Sequence, residues 1–253
     1  MAAGASGRTS ASGRRGASGF GFGEAIEAIG AQSRLLSEAV GSSDLDVRVP
    51  TCPEWSVRDL AHHIGVEQWY WAENVRAQNA DERTGAELTA LPEDSDLLAW
   101  LGWGTYSLVR ALRDVGPDAP CWAWWPAPHT SGAVGRHQAQ EAAVHRWDAE
   151  GVVGAPEPLA ADLAGDGVPE FIEIMVGSDL DALPGAVTLT ASDTGASWRV
   201  DGAAAGRSGR QSELRAPASD LVLMLYRRLP VPDAIVTGDP MLVAALLSLA
   251  DTS

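Results

Sequence analysis

Apolar positions in the first part of the chain recur every three to four residues, and each such run predicts a helix. Residues 23–41 place Ile26, Ile29, Leu35, Leu36 and Val40 at helical spacing. A second helix is predicted over 56–78, where Ser56 is a natural N-cap and Asp59 follows three residues later. A third, over 93–114, puts Leu97, Leu98, Leu101, Leu108 and Leu112 on one face. The fourth, over 133–151, follows a loop rich in Trp and Pro (Trp122, Trp124, Trp125, Pro126, Pro128). Four amphipathic helices with connections of this size predict a four-helix bundle over residues 21–152.

The pattern changes after about residue 152, where Gly154, Pro156 and Pro158 punctuate the chain. A helical stretch over 160–177 precedes short extended segments at 186–191 (Ala-Val-Thr-Leu-Thr-Ala), 197–201 and near 211–216. Helical periodicity returns over 218–229 and 239–250. This mixture predicts a small α+β domain over 153–253, so the fold class is an α bundle followed by α+β. Residues 1–20, almost all Gly, Ala, Ser and Arg, bury too little apolar surface to offset their ordering entropy and are expected to form a disordered extension.

With 253 residues and 45% hydrophobic composition, the chain can build a sizeable core in one large domain or two ordinary ones. The formal charge is −16, from 34 acidic and 18 basic residues, and every basic residue is Arg, a bias associated with GC-rich bacterial coding. An acidic surface repels phosphate backbones and anionic bilayers, so nucleic-acid and membrane partners are disfavoured. No apolar run reaches the roughly 18 residues of a transmembrane helix, and Arg8, Arg14 and Arg15 are not followed by a signal-like apolar stretch. Cys52 and Cys121 are too few for a disulfide scaffold. A soluble cytoplasmic protein is the expectation.

Glu141 and His145 stand four residues apart on the fourth helix, so both side chains reach one point in space. Carboxylate oxygen and neutral imidazole are good zinc ligands. An antiparallel neighbour, the second helix, could bring either His62 or His63 to the same ion. Three protein ligands would leave the fourth position open, the catalytic arrangement. The competing reading is an ordinary surface pair. His137, four residues before Glu141 on the same stripe, is open to three readings, a ligand, a partner behind a ligand or a solvated side chain, of which the solvated one is favoured.

The segment Val49-Pro-Thr-Cys-Pro-Glu-Trp-Ser-Val-Arg-Asp-Leu-Ala-His-His-Ile-Gly65 resembles the opening motif of the mycothiol-dependent maleylpyruvate isomerase family, and Glu141-Ala-Ala-Val-His-Arg-Trp-Asp148 resembles its second. A looser likeness links Asp220-Leu-Val-Leu-Met-Leu-Tyr-Arg-Arg228 and Val236-Thr-Gly-Asp239 to the family's C-terminal domain. The resemblance implies a DinB-like metal-binding bundle followed by a sterol-carrier-like domain. It implies that His63, Glu141 and His145 hold zinc or another divalent metal, with His62 facing elsewhere. It further implies that Arg228 handles substrate, as a cation holding a substrate carboxylate bidentately.

The implied function is an isomerase or S-transferase in which a low-molecular-weight thiol, mycothiol, is activated at the metal and adds to a small electrophilic substrate. A non-catalytic metal-stabilised binding or regulatory protein is the rival from another class, and metal-dependent hydrolysis, for lack of an extra general base, ranks last. Both cysteines are read as packed thiols, and Trp55, Trp69, Trp147 and the 122–125 cluster as core or cleft wall. Asp59, Arg146 and Asp148 either orient ligands or serve as caps and surface pairs.

Overall fold

The computed structural model describes residues 20–84, 92–232 and 235–250. Residues 1–19 of the expected disordered extension lie outside this set. The four amphipathic stretches form α1 (Phe22–Gly41), α2 (Val57–Ala77), α3 (Leu97–Val115) and α4 (Ser131–Val153). Around the bundle α1 packs on α4 and α3, while α2 packs on α3 and α4. The start of α2 is fixed as its sequence suggests. Ser56 Oγ accepts from the Asp59 amide, and the Asp59 carboxylate accepts from the Ser56 amide, so two otherwise orphaned donors are satisfied.

A two-stranded hairpin precedes α2: β1 (Arg48–Val49) pairs antiparallel with β2 (Cys52–Ser56). Its alternation is too short, and too interrupted by Pro50 and Pro53, to stand out in the sequence. The hairpin packs against α2 and α4, which places Thr51, Cys52 and Trp55 beside both. Near the middle of α2, Gly65 lies under the Trp100 ring of α3. A Cβ there would come within 2.0 Å of the ring, so the close approach of the two helices requires glycine.

Past α4 the chain enters α5 (Ala161–Phe171), continues through a π turn (Ile172–Val176) and a 3-10 turn (Gly177–Ala182), and reaches the sheet. The single helix expected over 160–177 is therefore broken, at a point just beyond Pro169, which lacks a backbone N–H. The sheet holds β3 (Ala186–Ala191), β4 (Ser197–Asp201), β5 (Gln211–Ala216) and β6 (Val236–Gly238), in the order β4-β3-β5-β6. β3 runs parallel to β5, and the other two pairings are antiparallel. A short α6 (Ala205–Ser208) lies between β4 and β5, and α7 (Ala218–Leu225) and α8 (Pro240–Leu247) pack on β3 and β5.

The architecture is thus a helical bundle followed by a small mixed α+β unit. One contiguous set of buried apolar residues runs from Ile29, Trp71 and Leu108 of the bundle through Val168 and Phe171 of α5 to Leu189 and Leu223. α5 is the bridge, since it packs on both α4 and α7. A second apolar cluster (Leu36, Leu60, Ile64, Leu101) fills the other end of the bundle. Among the described residues no helix is long and apolar enough to cross a membrane.

Candidate metal centre

The packing of α2 against α4 brings the two motifs together. His63 Nε2 lies 3.7 Å from Glu141 Oε2, and His145 Nε2 lies 3.5 Å from the same oxygen. One donor atom from each of the three residues falls within 4.8 Å of the others. Tetrahedral bonds of about 2.0–2.1 Å set neighbouring donors about 3.3 Å apart, a value the two separations from Glu141 approach, while the donor set as a whole spans up to 4.8 Å and would contract around an ion. Two imidazoles and a carboxylate fit a borderline-soft divalent ion. Among the described residues no fourth His, Cys, Asp or Glu joins the group. His62, one residue away, turns its ring edge to Trp100 at 6.1 Å and stays outside.

His145 is held from behind. Its Nδ1 is 3.0 Å from Asp148 Oδ2, which selects the tautomer that leaves the Nε2 lone pair directed at the centre. Asp148 is fully buried and gathers further donors: Thr51 Oγ1 at 2.6 Å, the Cys52 thiol at 3.7 Å, and Arg228 through Nε at 3.1 Å and Nη2 at 3.1 Å. Arg228 also donates from Nη1 to the Tyr226 carbonyl at 2.9 Å. The guanidinium expected to clamp a substrate carboxylate is buried and paired with Asp148, with Glu141 also within its electrostatic reach. The turn after α7 puts it there. Arg227 takes a left-handed conformation (φ 59°) and the Arg228 amide donates back to Leu223 O, closing the helix in a Schellman-type turn. The Arg227 side chain caps the carbonyls of Leu247 and Ala250, which offsets the strain of a non-glycine residue at positive φ.

Burial alone would raise the Glu141 carboxyl, but the imidazoles of His145 and His63 outweigh it and hold it well below the usual carboxylate range. Burial likewise would lower His145, yet Asp148 and Glu141 lift it to about 9. Asp148, which burial would raise, is held low by His145 and Arg228. Over the two imidazoles lies Trp55 from β2, its ring 4.7 Å from that of His63 and 5.7 Å from that of His145.

His137 departs from its expected solvated position. It is only 4% exposed, with Nδ1 2.7 Å from Glu170 Oε1 of α5 and the rings of Trp125, Trp124 and Trp71 around it. The α4 stripe that carries Glu141 and His137 faces inward, and α5 covers the position one turn before Glu141. Periodicity locates such a stripe but not what covers it. Glu170 carries one readable signal: it shares the buried face of α5 with Leu163 and Gly167, an unusual place for an acid. Glu67, four residues after His63 on α2, is a second acid that sequence reasoning missed. Its carboxylate accepts from Trp71 Nε1 at 2.9 Å, and burial pushes its carboxyl up.

The remaining candidates are structural in their surroundings. Arg146 is buried and joins Glu150, Gln32 and the Glu157 carbonyl, tying α4 to α1 and to the following linker. Burial pushes the Cys52 thiol to about 11, with Asp148 adding to it, and the Cys121 thiol to about 12. Neither is an activated nucleophile at neutral pH.

Residues 26–150 match the family model described as the mycothiol maleylpyruvate isomerase N-terminal domain. No curated protein matches the chain. Two crystal structures share its fold. One, a mycothiol-dependent maleylpyruvate isomerase with a histidine-to-alanine substitution, is 11% identical with TM-score 0.64, covering 88% of this chain and 94% of its own. The other, a mycothiol-dependent maleylpyruvate isomerase, is 12% identical with TM-score 0.55, covering 81% and 88%. The bundle thus matches the mycothiol maleylpyruvate isomerase N-terminal domain, and the fold of two mycothiol-dependent maleylpyruvate isomerases is shared along most of the chain's length.

Proposed function

We propose that this protein is a metal-dependent enzyme that uses a low-molecular-weight thiol, mycothiol, to attack a small electrophilic substrate. The observation that carries the reading is the convergence of His63, Glu141 and His145, with no fourth ligand among the described residues. A zinc ion held there would lower the pKa of a thiol in the open position, so that thiolate forms near neutral pH.

The chain's own residues prepare that position. Asp148 fixes the tautomer and tilt of His145, and Arg228 neutralises Asp148 and so acts on His145 from behind. Trp55 packs against both imidazole rings and limits their movement. A thiolate placed there would add to an activated double bond, its electron pair displacing the π electrons onto the activating carbonyl as an enolate. Rotation about the resulting single bond and expulsion of thiolate would give an isomer, whereas protonation of the enolate and release would give a thioether. The same ligands serve both outcomes.

Metal analysis of the purified protein and of His63→Ala tests the site, and equal zinc in both would remove it. Incubating the zinc-loaded protein with mycothiol and a panel of electrophiles separates isomerised product from released thioether. Formation of neither would leave the rival reading, a metal-stabilised binding protein.

A further inference from the structure

Glu141 has a second oxygen. While Oε2 faces the two imidazoles, Oε1 faces His137 Nε2 at 4.0 Å, a separation that a modest side-chain rotation brings to a hydrogen bond. His137 is in turn held through Nδ1 by Glu170 Oε1 at 2.7 Å. Every polar group in this arm is deeply buried: His137 is 4% and Glu170 0% exposed. The arm is poor as a stabilising device. Glu170 and the Tyr226 hydroxyl are buried neighbours whose mutual contact falls short of good hydrogen-bond geometry, and apolar side chains in place of both His137 and Glu170 would fill the aromatic surroundings as well. A buried imidazole–carboxylate pair aimed at a ligand's free oxygen has another use. A carboxylate whose second oxygen is engaged by an N–H binds through one oxygen, whereas a free carboxylate turns easily about its terminal torsion and can chelate through both. The required N–H is present when the pair is imidazolium beside carboxylate or Nε2–H imidazole beside carboxylic acid; only neutral imidazole donating from Nδ1 to a carboxylate, the arrangement at His145, lacks it.

We propose that His137, held by Glu170, is a positioning residue that engages Oε1 of Glu141, keeps this ligand bound through Oε2 alone, and so preserves the open coordination position for the thiol. The proposal rests on the metal reading above.

Cobalt(II) in place of zinc tests it, because visible absorption reports coordination number. Wild-type protein is expected to bind one cobalt with the intense bands of four-coordination; failure to bind would overturn the metal reading and this proposal with it. If wild type binds, His137→Phe is expected to weaken cobalt by about 10–100-fold and to shift the spectrum toward the weaker bands of higher coordination. His137→Leu reads the same loss should the phenylalanine variant not fold. His137→Gln, which returns an N–H toward Glu141, is expected to recover most of the affinity and the four-coordinate spectrum. Wild-type affinity and an unchanged spectrum in the Phe or Leu variant would overturn the positioning role while leaving the metal site intact. A merely structural His137 would lower the unfolding temperature of the metal-free protein without altering the spectrum.

Discussion

The two sides of the centre are built differently. Behind His145, one buried carboxylate, Asp148, satisfies donors from the hairpin, from its own helix and from the turn after α7. Behind Glu141, the His137–Glu170 pair ends at Glu170 Oε2 and the Tyr226 hydroxyl, two buried neighbours whose contact falls short of good hydrogen-bond geometry. Both arms link the bundle to the later part of the chain, one through Arg228 and the other through α5. The first is tightly satisfied and should resist change. The second is less completely satisfied, which is consistent with a value in directing a ligand rather than in stability.

Asp148→Ala gives the largest expected effect. It strands the buried Arg228 charge and releases His145, and losing one partner of such a pair costs about 3–5 kcal/mol, read as a fall in denaturant midpoint and in metal content. The pH dependence of the metal-free protein comes next. His145 is lifted from 6.5 to about 9 in the folded state, so its contribution is fully present below about 6.5 and is lost as pH rises through about 9. The unfolding temperature of the apo-protein should therefore fall across that window. Metal binding requires the neutral imidazole, so metal-dependent stabilisation should grow over the same rise in pH. A flat apo profile would contradict the Asp148 arrangement.

The contrast is sharpest when both members of the second pair are replaced. In the metal-free protein His137→Phe combined with Glu170→Leu is expected to change stability by no more than about 1 kcal/mol, since apolar side chains replace a costly buried pair without stranding either partner. A loss as large as that of Asp148→Ala would erase the distinction between the arms. Smallest is Tyr226→Phe, which removes a buried hydroxyl that burial, with Glu170 and Glu141 nearby, holds well above the usual tyrosine range. Little or no change in thermal stability is expected, and a clear loss would mean that the hydroxyl donates a strong hydrogen bond to Glu170.

The bundle was legible because helical periodicity is a local property. Ile26 and Ile29 of α1, Leu101 and Leu108 of α3 and the Ser56–Asp59 cap all fall where their spacing places them. The strands at 186–191, 197–201 and 211–216 were equally readable, while β1 and β6, two and three residues long, give too little alternation to register. Within the centre, spacing paired Glu141 with His145 but left His62 and His63 open, because choosing between them depends on which face of α2 meets α4.

The sequence by itself determined the donor types, the one-turn relation between Glu141 and His145, and the helices that carry them, since all of these follow from near neighbours along the chain. Only the tertiary structure decided what stands behind the donors. Asp148 meets Arg228 across 80 residues and His137 meets Glu170 across 33, and both contacts depend on how α5 and the turn after α7 pack against α4. Helical geometry fixes a residue's direction within its helix; which element lies in that direction is set by burial of apolar surface over the whole chain.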